Sequence, residues 1–381
     1  MKNLLPVTLV LIAFCCNAQS KNDSNLVKAN TILDAIYENY SAPGNNLLRE
    51  NFPYDDKYTP DYLATNPGTQ VPNPYAFLWP YSGTLSAATT LLESTGDKRY
   101  KKLLDKKILP GLEEYFDVKR KPFGYASYIN TAKPSDRFYD DNIWLGIDFT
   151  DLYRLSKEKK YLNKARIIWE FILSGYDNKL GGGIYWCEQK KTTKNTCSNA
   201  PAAVFAFKLF EVTKDSNYFK TGKNIYDWTK KNLQDSTDGL YFDNISLKGI
   251  VDKRKYSYNS GQMLQAAVLL YKITRQQSYL AEAERIAGSS IRYFIPEPGD
   301  EKMLKFRDNN IWFNAVMFRG FVDLYQTNKD RKYIDQFKKA LENYYNSQRD
   351  DNGLFFKRSP RKWLLNQAGF VEMFARMAHI K

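Results

Sequence analysis

Asp140 and Asp141 stand side by side in Phe138-Tyr139-Asp140-Asp141-Asn142-Ile143-Trp144, where an apolar segment begins. Ile143, Trp144, Ile147, Asp151 and Leu152 follow at spacings of three and four, the period of a helix running to about Ser156. A lone aspartate at a helix start is usually a cap, bonded to free N–H groups and favoured by the helix dipole. Two further Asp-Asp pairs serve as controls. Asp55-Asp56 lies in a Pro/Tyr-rich loop and Asp350-Asp351 in the turn Gln348-Arg349-Asp350-Asp351-Asn352-Gly353, and neither opens an apolar helix. A pair walled by Phe138, Tyr139 and Trp144 can do what one cap cannot. Mutual repulsion and apolar surroundings raise one pKa, so that one carboxyl stays ionised and its neighbour keeps a proton. Retaining glycoside cleavage needs that division, with the two groups about 5–5.5 Å apart.

Other chemistries are thinly supplied. The only histidine is His379, near the C-terminus, which leaves no His-based triad and no His-ligated metal centre. Met1 to Ala18 reads as a secretory signal, with Lys2, an apolar run from Leu4 to Phe14, and Cys16-Asn17-Ala18 before Gln19. Cys15 and Cys16 raise a lipoprotein alternative, but the residues before them fit a lipobox poorly. A soluble exported protein, periplasmic or extracellular, is the expectation, with one domain over 19–381 and no membrane span. Cleavage leaves Cys187 and Cys197, expected to close a short disulfide loop in an oxidising compartment. The formal charge of +14, from 56 basic and 42 acidic residues, is spread over outer helices in runs such as Lys98-Arg99-Tyr100-Lys101-Lys102. It comes with no nucleic-acid motif and reads as a solvated basic exterior.

The elements that must position the pair are set by an internal repeat. Short polar turns ending in Tyr recur as Gly96-Asp97-Lys98-Arg99-Tyr100, Lys157-Glu158-Lys159-Lys160-Tyr161, Lys214-Asp215-Ser216-Asn217-Tyr218, Arg275-Gln276-Gln277-Ser278-Tyr279 and Lys329-Asp330-Arg331-Lys332-Tyr333. Each follows an apolar helix and precedes an amphipathic one. The apolar helices are expected at 76–95, 141–156, 199–213, 259–274, 311–327 and 364–378. The amphipathic ones are expected at 26–40, 97–116, 159–174, 216–232, 277–293 and 331–347. This alternation predicts an all-α fold, an (α/α)6 barrel with an inner ring inside an outer ring; an open solenoid is the runner-up. Gly/Asp/aromatic connections lead from outer to inner helices as loops or short hairpins. In the closed form they meet at one end, and Asp140 and Asp141 would sit there.

Asp308-Asn309-Asn310-Ile311-Trp312 echoes the central motif. If the two are copies, the first Asp, the Asn and the Trp are shared cap, turn and anchor. Asp141, replaced by Asn309 in the echo, then calls for another explanation. With aromatics at 15% of the chain, rings near the inner-helix starts could stack on sugars. These are Trp79, Tyr81, Trp144, Tyr185, Trp186, Tyr258 and Trp312, with core packing as the competing role. Asn142, Asn199, Asn259, Gln262 and Asp308 are candidates to bind sugar hydroxyls, and capping would explain them as well.

Four stretches together resemble glycoside hydrolase family 76, the endo-α-1,6-mannanase family. They are Tyr139-Asp140-Asp141-Asn142-Ile143-Trp144; Gly181-Gly182-Gly183-Ile184-Tyr185-Trp186 before Asn199-Ala200-Pro201; Tyr256-Ser257-Tyr258-Asn259-Ser260-Gly261-Gln262; and Phe318-Arg319-Gly320-Phe321. The likeness extends over residues 30–378. It implies an (α/α)6 barrel that hydrolyses α-1,6-mannosidic bonds in mannan with retention, Asp140 being the nucleophile and Asp141 the general acid/base. It implies no metal and no organic cofactor, and action on mannan polysaccharide or oligosaccharide; the protein is expected to be a monomer. The Cys187–Cys197 segment lies outside the motifs. Three other readings stay open: a mannan transglycosidase acting on cell-wall glycans, a non-catalytic glycan-binding barrel, and another (α/α)6 enzyme such as an unsaturated-uronyl hydrolase or a lyase.

Overall fold

The computed structural model describes residues 23–55, 57–64, 73–298, 303–308 and 310–380. The candidate signal segment, Cys15, Cys16, Asp56 and Asn309 lie outside these residues. Helices take up most of the chain: α1 (Ser24–Tyr40), α2 (Leu78–Thr95), α3 (Lys98–Leu103), α4 (Leu109–Glu113), α5 (Tyr139–Ser156), α6 (Lys159–Leu173), α7 (Thr196–Thr213), α8 (Ser216–Leu233), α9 (Ser257–Thr274), α10 (Gln277–Phe294), α11 (Ile311–Asn328), α12 (Lys332–Ser347) and α13 (Leu364–His379). A π turn, Leu104–Ile108, joins α3 to α4 into one irregular outer helix.

The ring closes. α2, α5, α7, α9, α11 and α13 each contact the next, and α13 packs back on α2. An open solenoid would lack that last contact. The outer helices α1, α3, α6, α8, α10 and α12 pack on α13, α2, α5, α7, α9 and α11 respectively. Burial explains the contrast in composition. In α9 every residue from Ser257 to Leu270 is buried, whereas α8 buries one stripe including Ile225, Tyr226 and Trp228. The chain is therefore an (α/α)6 barrel.

The repeated turn has a conformational meaning. Gly96, Lys157, Lys214, Arg275 and Lys329 each end an inner helix in the left-handed region, with φ between 61° and 65°. That conformation reverses the chain from inner to outer helix. At the α9–α11 crossing, a Cβ on Gly320 would come within 2.6 Å of the Gly261 carbonyl oxygen, so glycine is what lets these helices approach.

The connections at the other end are more ordered than loops. β4 below belongs to the second of these hairpins, and strands are numbered along the chain: β1 (Asn51–Phe52), β2 (Phe116–Asp117), β3 (Gly124–Tyr125), β4 (Tyr185–Cys187), β5 (Lys190–Asn195), β6 (Phe242–Ser246), β7 (Val251–Lys255) and β8 (Lys362–Trp363). β4 to β7 form one antiparallel sheet, Thr193 opposite Ser246 joining the two hairpins. β1 pairs with β8, tying the first inner helix's approach to that of the last.

Candidate active site

α5 starts at Tyr139, with Phe138 as its N-cap residue and no capping side chain. Asp140 and Asp141 are thus the second and third residues of the helix. Two devices fix this start. Asn142, the fourth residue, accepts from Tyr125 N at 2.7 Å and donates to Tyr125 O at 2.9 Å and Phe138 O at 2.8 Å. Arg137, buried against Phe171, donates to Glu188 Oε2 at 2.7 Å and to Pro122 O at 2.9 Å, and its own N–H donates to Gln189 Oε1 at 2.7 Å. The β4–β5 turn thereby holds the residue just before the N-cap of α5.

Asn142 is one instance of a rule. Asn199, fourth in α7, accepts from Ile184 N at 2.7 Å and donates to Ile184 O at 2.9 Å and Asn195 O at 2.8 Å. Ser260, fourth in α9, accepts from Tyr241 N, and Gln367, fourth in α13, accepts from Phe355 N. Asn314, fourth in α11, donates to Asp308 O and Asn310 O. These side chains pin incoming hairpins to inner helices. Asn142 and Asn199 are fully buried with both amide groups engaged, so neither faces a ligand.

This register overturns the reading of 308–312 as a structural copy. Asn310 is the N-cap of α11, and Trp312 is its second residue, whereas Trp144 is the sixth of α5. Asn314, not Asn310, matches Asn142. Asp308 does not cap its own helix either: its Oδ2 accepts from Ser257 N at 2.6 Å, at the start of α9.

A cavity of about 720 Å³ opens at the inner-helix starts. Asp140, Asp141, Trp79, Trp144, Trp186 and Tyr258 all line it, as anticipated. Asn142, Asn199, Asn259, Gln262 and Asp308 do not. Gln262, for example, is buried and donates to Gln265 Oε1 at 2.8 Å. Tyr81 and Tyr185 are also away from it: Tyr81 donates to Ile108 O, and Tyr185 to Asp177 Oδ2. Trp312 does line it, its ring edge-on to Trp144 with centroids 5.0 Å apart. Among the described residues, the Trp79 and Trp312 indole N–H groups have no acceptor.

Sequence reasoning missed Tyr62, Trp363, Phe313, Cys197, Asp243 and Arg254, which also line the cavity. Phe313 and Tyr258 stack at 3.9 Å. Tyr62 is held by Glu50, whose Oε1 accepts from Tyr62 Oη at 2.7 Å and Trp363 Nε1 at 3.1 Å. Asp243 and Arg254 come from the sheet, whose cross-hairpin pairing leaves little trace in sequence. A Cys197 at the second place of α7 was legible in principle once the helix start was correctly placed. Cys187 and Cys197 are buried free thiols. The expected disulfide does not form: Cys187, at the end of β4, is bridged to Phe138, the N-cap residue of α5, while Cys197 has already entered α7 and faces the cavity.

The two central carboxyls are 9% exposed and differ in their bonding. Asp140 Oδ2 accepts from Trp186 Nε1 at 3.1 Å, and its Oδ1 accepts from Asp141 N at 3.1 Å. Burial raises Asp140 to about 6, while the Cys197 thiol, Asp141 N–H and Trp186 pull the other way. Burial, then the Asp140 charge, raises Asp141 well above the carboxylate range, with no opposing donor. The proton therefore stays on Asp141 while Asp140 ionises. A buried acid beside a buried carboxylate, in an aromatic cavity, suits acid-assisted displacement at a sugar carbon.

The model of glycosyl hydrolase family 76 matches residues 53–305. The chain belongs to this family. Among family 76 structures, the mannosidase Bt3792 of Bacteroides thetaiotaomicron is 31% identical, with TM-score 0.83 over 94% of this chain and 98% of its own. An inactive variant of the α-1,6-mannanase GH76A of Salegentibacter sp. HEL1_6, two adjacent aspartates replaced, in complex with α-1,6-mannotetrose, is 24% identical, with TM-score 0.75 over 94% and 100%. The meiotically up-regulated gene 191 protein of Schizosaccharomyces pombe is 27% identical over 166 residues, which are 40% of this chain and 37% of that protein. The match therefore spans under two fifths of that relative's length.

Proposed function

We propose that this family 76 protein hydrolyses α-1,6-mannosidic bonds within mannan backbones and retains configuration at the anomeric carbon. The unequal bonding of Asp140 and Asp141 carries the reading. Asp140, held ionised by its donors, attacks the anomeric carbon while Asp141 gives its proton to the departing glycosidic oxygen. Asp141, now a carboxylate, takes a proton from water as that water attacks the mannosyl–Asp140 ester, and two inversions give net retention. Trp186 and Tyr258 flank the reacting ring, and the indole N–H groups of Trp79 and Trp312 are free to meet hydroxyls. The Salegentibacter complex, with two adjacent aspartates replaced and an α-1,6-linked oligosaccharide bound, supports both the linkage and the role of the pair.

The protein is proposed to act outside the cytoplasm, because residues 1–18 have the composition of an export signal, and the two-carboxylate chemistry proposed for it calls for no metal or organic cofactor. The test is product analysis on unbranched α-1,6-mannan beside side-chain-bearing mannan. Release of a ladder of short oligosaccharides from the unbranched polymer is the expected result. Transfer of mannan segments to an added acceptor without net release, or binding without any cleavage, would replace this reading.

A further inference from the structure

We propose that Cys197 is a positioning residue for Asp140, its thiol donating to that carboxylate in addition to Trp186 and itself accepting from the Tyr258 hydroxyl. The inference rests on the hydrolytic reading above. Cys197, Asp140 and Tyr258 are each the second residue of an inner helix, on α7, α5 and α9. α7 packs between α5 and α9, so the three side chains follow one another around the rim of the barrel, and all three line the cavity. The Cys197 thiol acts on Asp140 as a hydrogen-bonding neighbour that favours its ionised form, and Tyr258 acts in the same way on the thiol.

Donor and acceptor roles fix the direction. An ionised carboxylate only accepts, a thiol donates once and accepts weakly, and a phenol donates. Tyr258 Oη–H therefore donates to Cys197 Sγ, and Cys197 Sγ–H to Asp140. Polarised by the hydroxyl behind it, the thiol becomes a better donor. Asp140 is then gripped by Trp186, by Asp141 N–H and by Cys197, while Asp141 has only solvent and sugar to turn to. Other titratable or charged groups near the site are Cys187 on β4, Lys190 on β5, Asp243 on β6 and Arg254 on β7, and Asp61 also lines the cavity. Cys187 is turned to Gln189 Oε1 at 3.7 Å, and Arg254 is paired with Asp252 Oδ2 at 2.6 Å, so neither takes over this contact. Asp243 accepts from Asn244 Nδ2 at 3.1 Å and pairs with Arg254 at 3.4 Å.

The test compares full-length Cys197→Ala and Cys197→Ser with the unsubstituted protein, reading kcat and KM on unbranched α-1,6-mannan against pH. Removing the donor raises the Asp140 pKa. Cys197→Ala should move the acidic limb of kcat/KM up by about half to one pH unit and lower kcat at pH 6 about 5–20-fold, with KM within about twofold. Cys197→Ser, which keeps a donor, should restore the limb and recover kcat to within about threefold. A Cys197→Ala protein with the original limb and kcat overturns the proposal, as does a folded Cys197→Ser no better than Cys197→Ala. Should Cys197→Ala not fold, Tyr258→Phe reads the same chain: a smaller upward shift of the limb supports it, and an unmoved limb overturns it. Asp140→Asn separates the levels. If it keeps mannan cleavage, the hydrolytic reading itself is wrong. If it is inactive while Cys197→Ala is unshifted, only the role of Cys197 is lost.

Discussion

Trp186 donates its indole N–H to Asp140 Oδ2 at 3.1 Å, while among the described residues no side chain donates to Asp141. Two adjacent residues of one helix turn are thereby made chemically different by a strand from another hairpin. Trp186→Phe keeps a ring against Phe138 and removes the donor. It should lower kcat on mannan about tenfold, in line with the roughly 1.5–3 kcal/mol of a hydrogen bond to a charged group, and move the acidic limb upward. Steady-state kinetics across pH checks this, and a change confined to KM would assign Trp186 to sugar stacking alone.

The pair should give a bell-shaped pH profile. In the proposed mechanism Asp140 acts ionised and Asp141 protonated, so activity should fall as pH drops through about 6. Asp141 must be protonated, and burial with the Asp140 charge raises its pKa, so activity also falls as pH climbs past that higher value. With Asp141→Asn and an aryl mannoside that needs no protonation, the alkaline limb should vanish and the acidic one remain. Profiles of kcat/KM from pH 3 to 9 test both limbs.

Glu50 ties Tyr62, Trp363 and the Phe77 N–H to the rim, and burial lifts it from 4.5 to about 7. A raised carboxyl stabilises the fold fully below its unfolded pKa, and that contribution is lost as pH rises through the folded value. The loss amounts to about 3 kcal/mol at most between pH 4.5 and 7. Glu50→Gln cannot titrate. Relative to the unsubstituted protein, its stability should therefore improve by up to that amount between pH 4.5 and pH 8, measured by urea unfolding at both values. A pH-independent difference would mean that Glu50 does not change protonation there.

Lys214 caps α7 at φ 61°, a conformation that costs a non-glycine residue roughly 1–2 kcal/mol. Lys214→Gly should raise stability by about 0.5–1 kcal/mol, part of the gain being offset by the freer unfolded chain. Calorimetry showing a lower Tm would mean that the Lys214 side chain, which lies over Phe210, contributes more than the strain costs.

Much of the ring was legible because full burial and one-sided burial leave different residue patterns. The expected helices match the observed ones to within about three residues. The misplaced starts share one cause. Asn142, Asn199 and Asn259 looked like residues that begin helices, and α5, α7 and α9 begin two or three residues earlier. The asparagines at 142 and 199 bond backward to strands rather than forward to free N–H groups. Local spacing could not reveal this, since their partners Tyr125 and Ile184 lie 17 and 15 residues away. The same blindness to register made 308–312 look like a copy of the central motif. It also hid Asp243 and Arg254, which reach the cavity only because two hairpins, far apart in sequence, pair into one sheet.

The division of labour between Asp140 and Asp141 is tested most directly by running Asp141→Asn with an activated aryl α-mannoside and added azide, and identifying the product by NMR. With no proton donor needed and no base to activate water, the mannosyl–Asp140 ester should form and then be captured by azide. The account predicts azide-accelerated turnover to α-mannosyl azide, the retained anomer, and no turnover of the aryl mannoside or of mannan by Asp140→Asn. Formation of β-mannosyl azide, or azide rescue in Asp140→Asn instead, would contradict it.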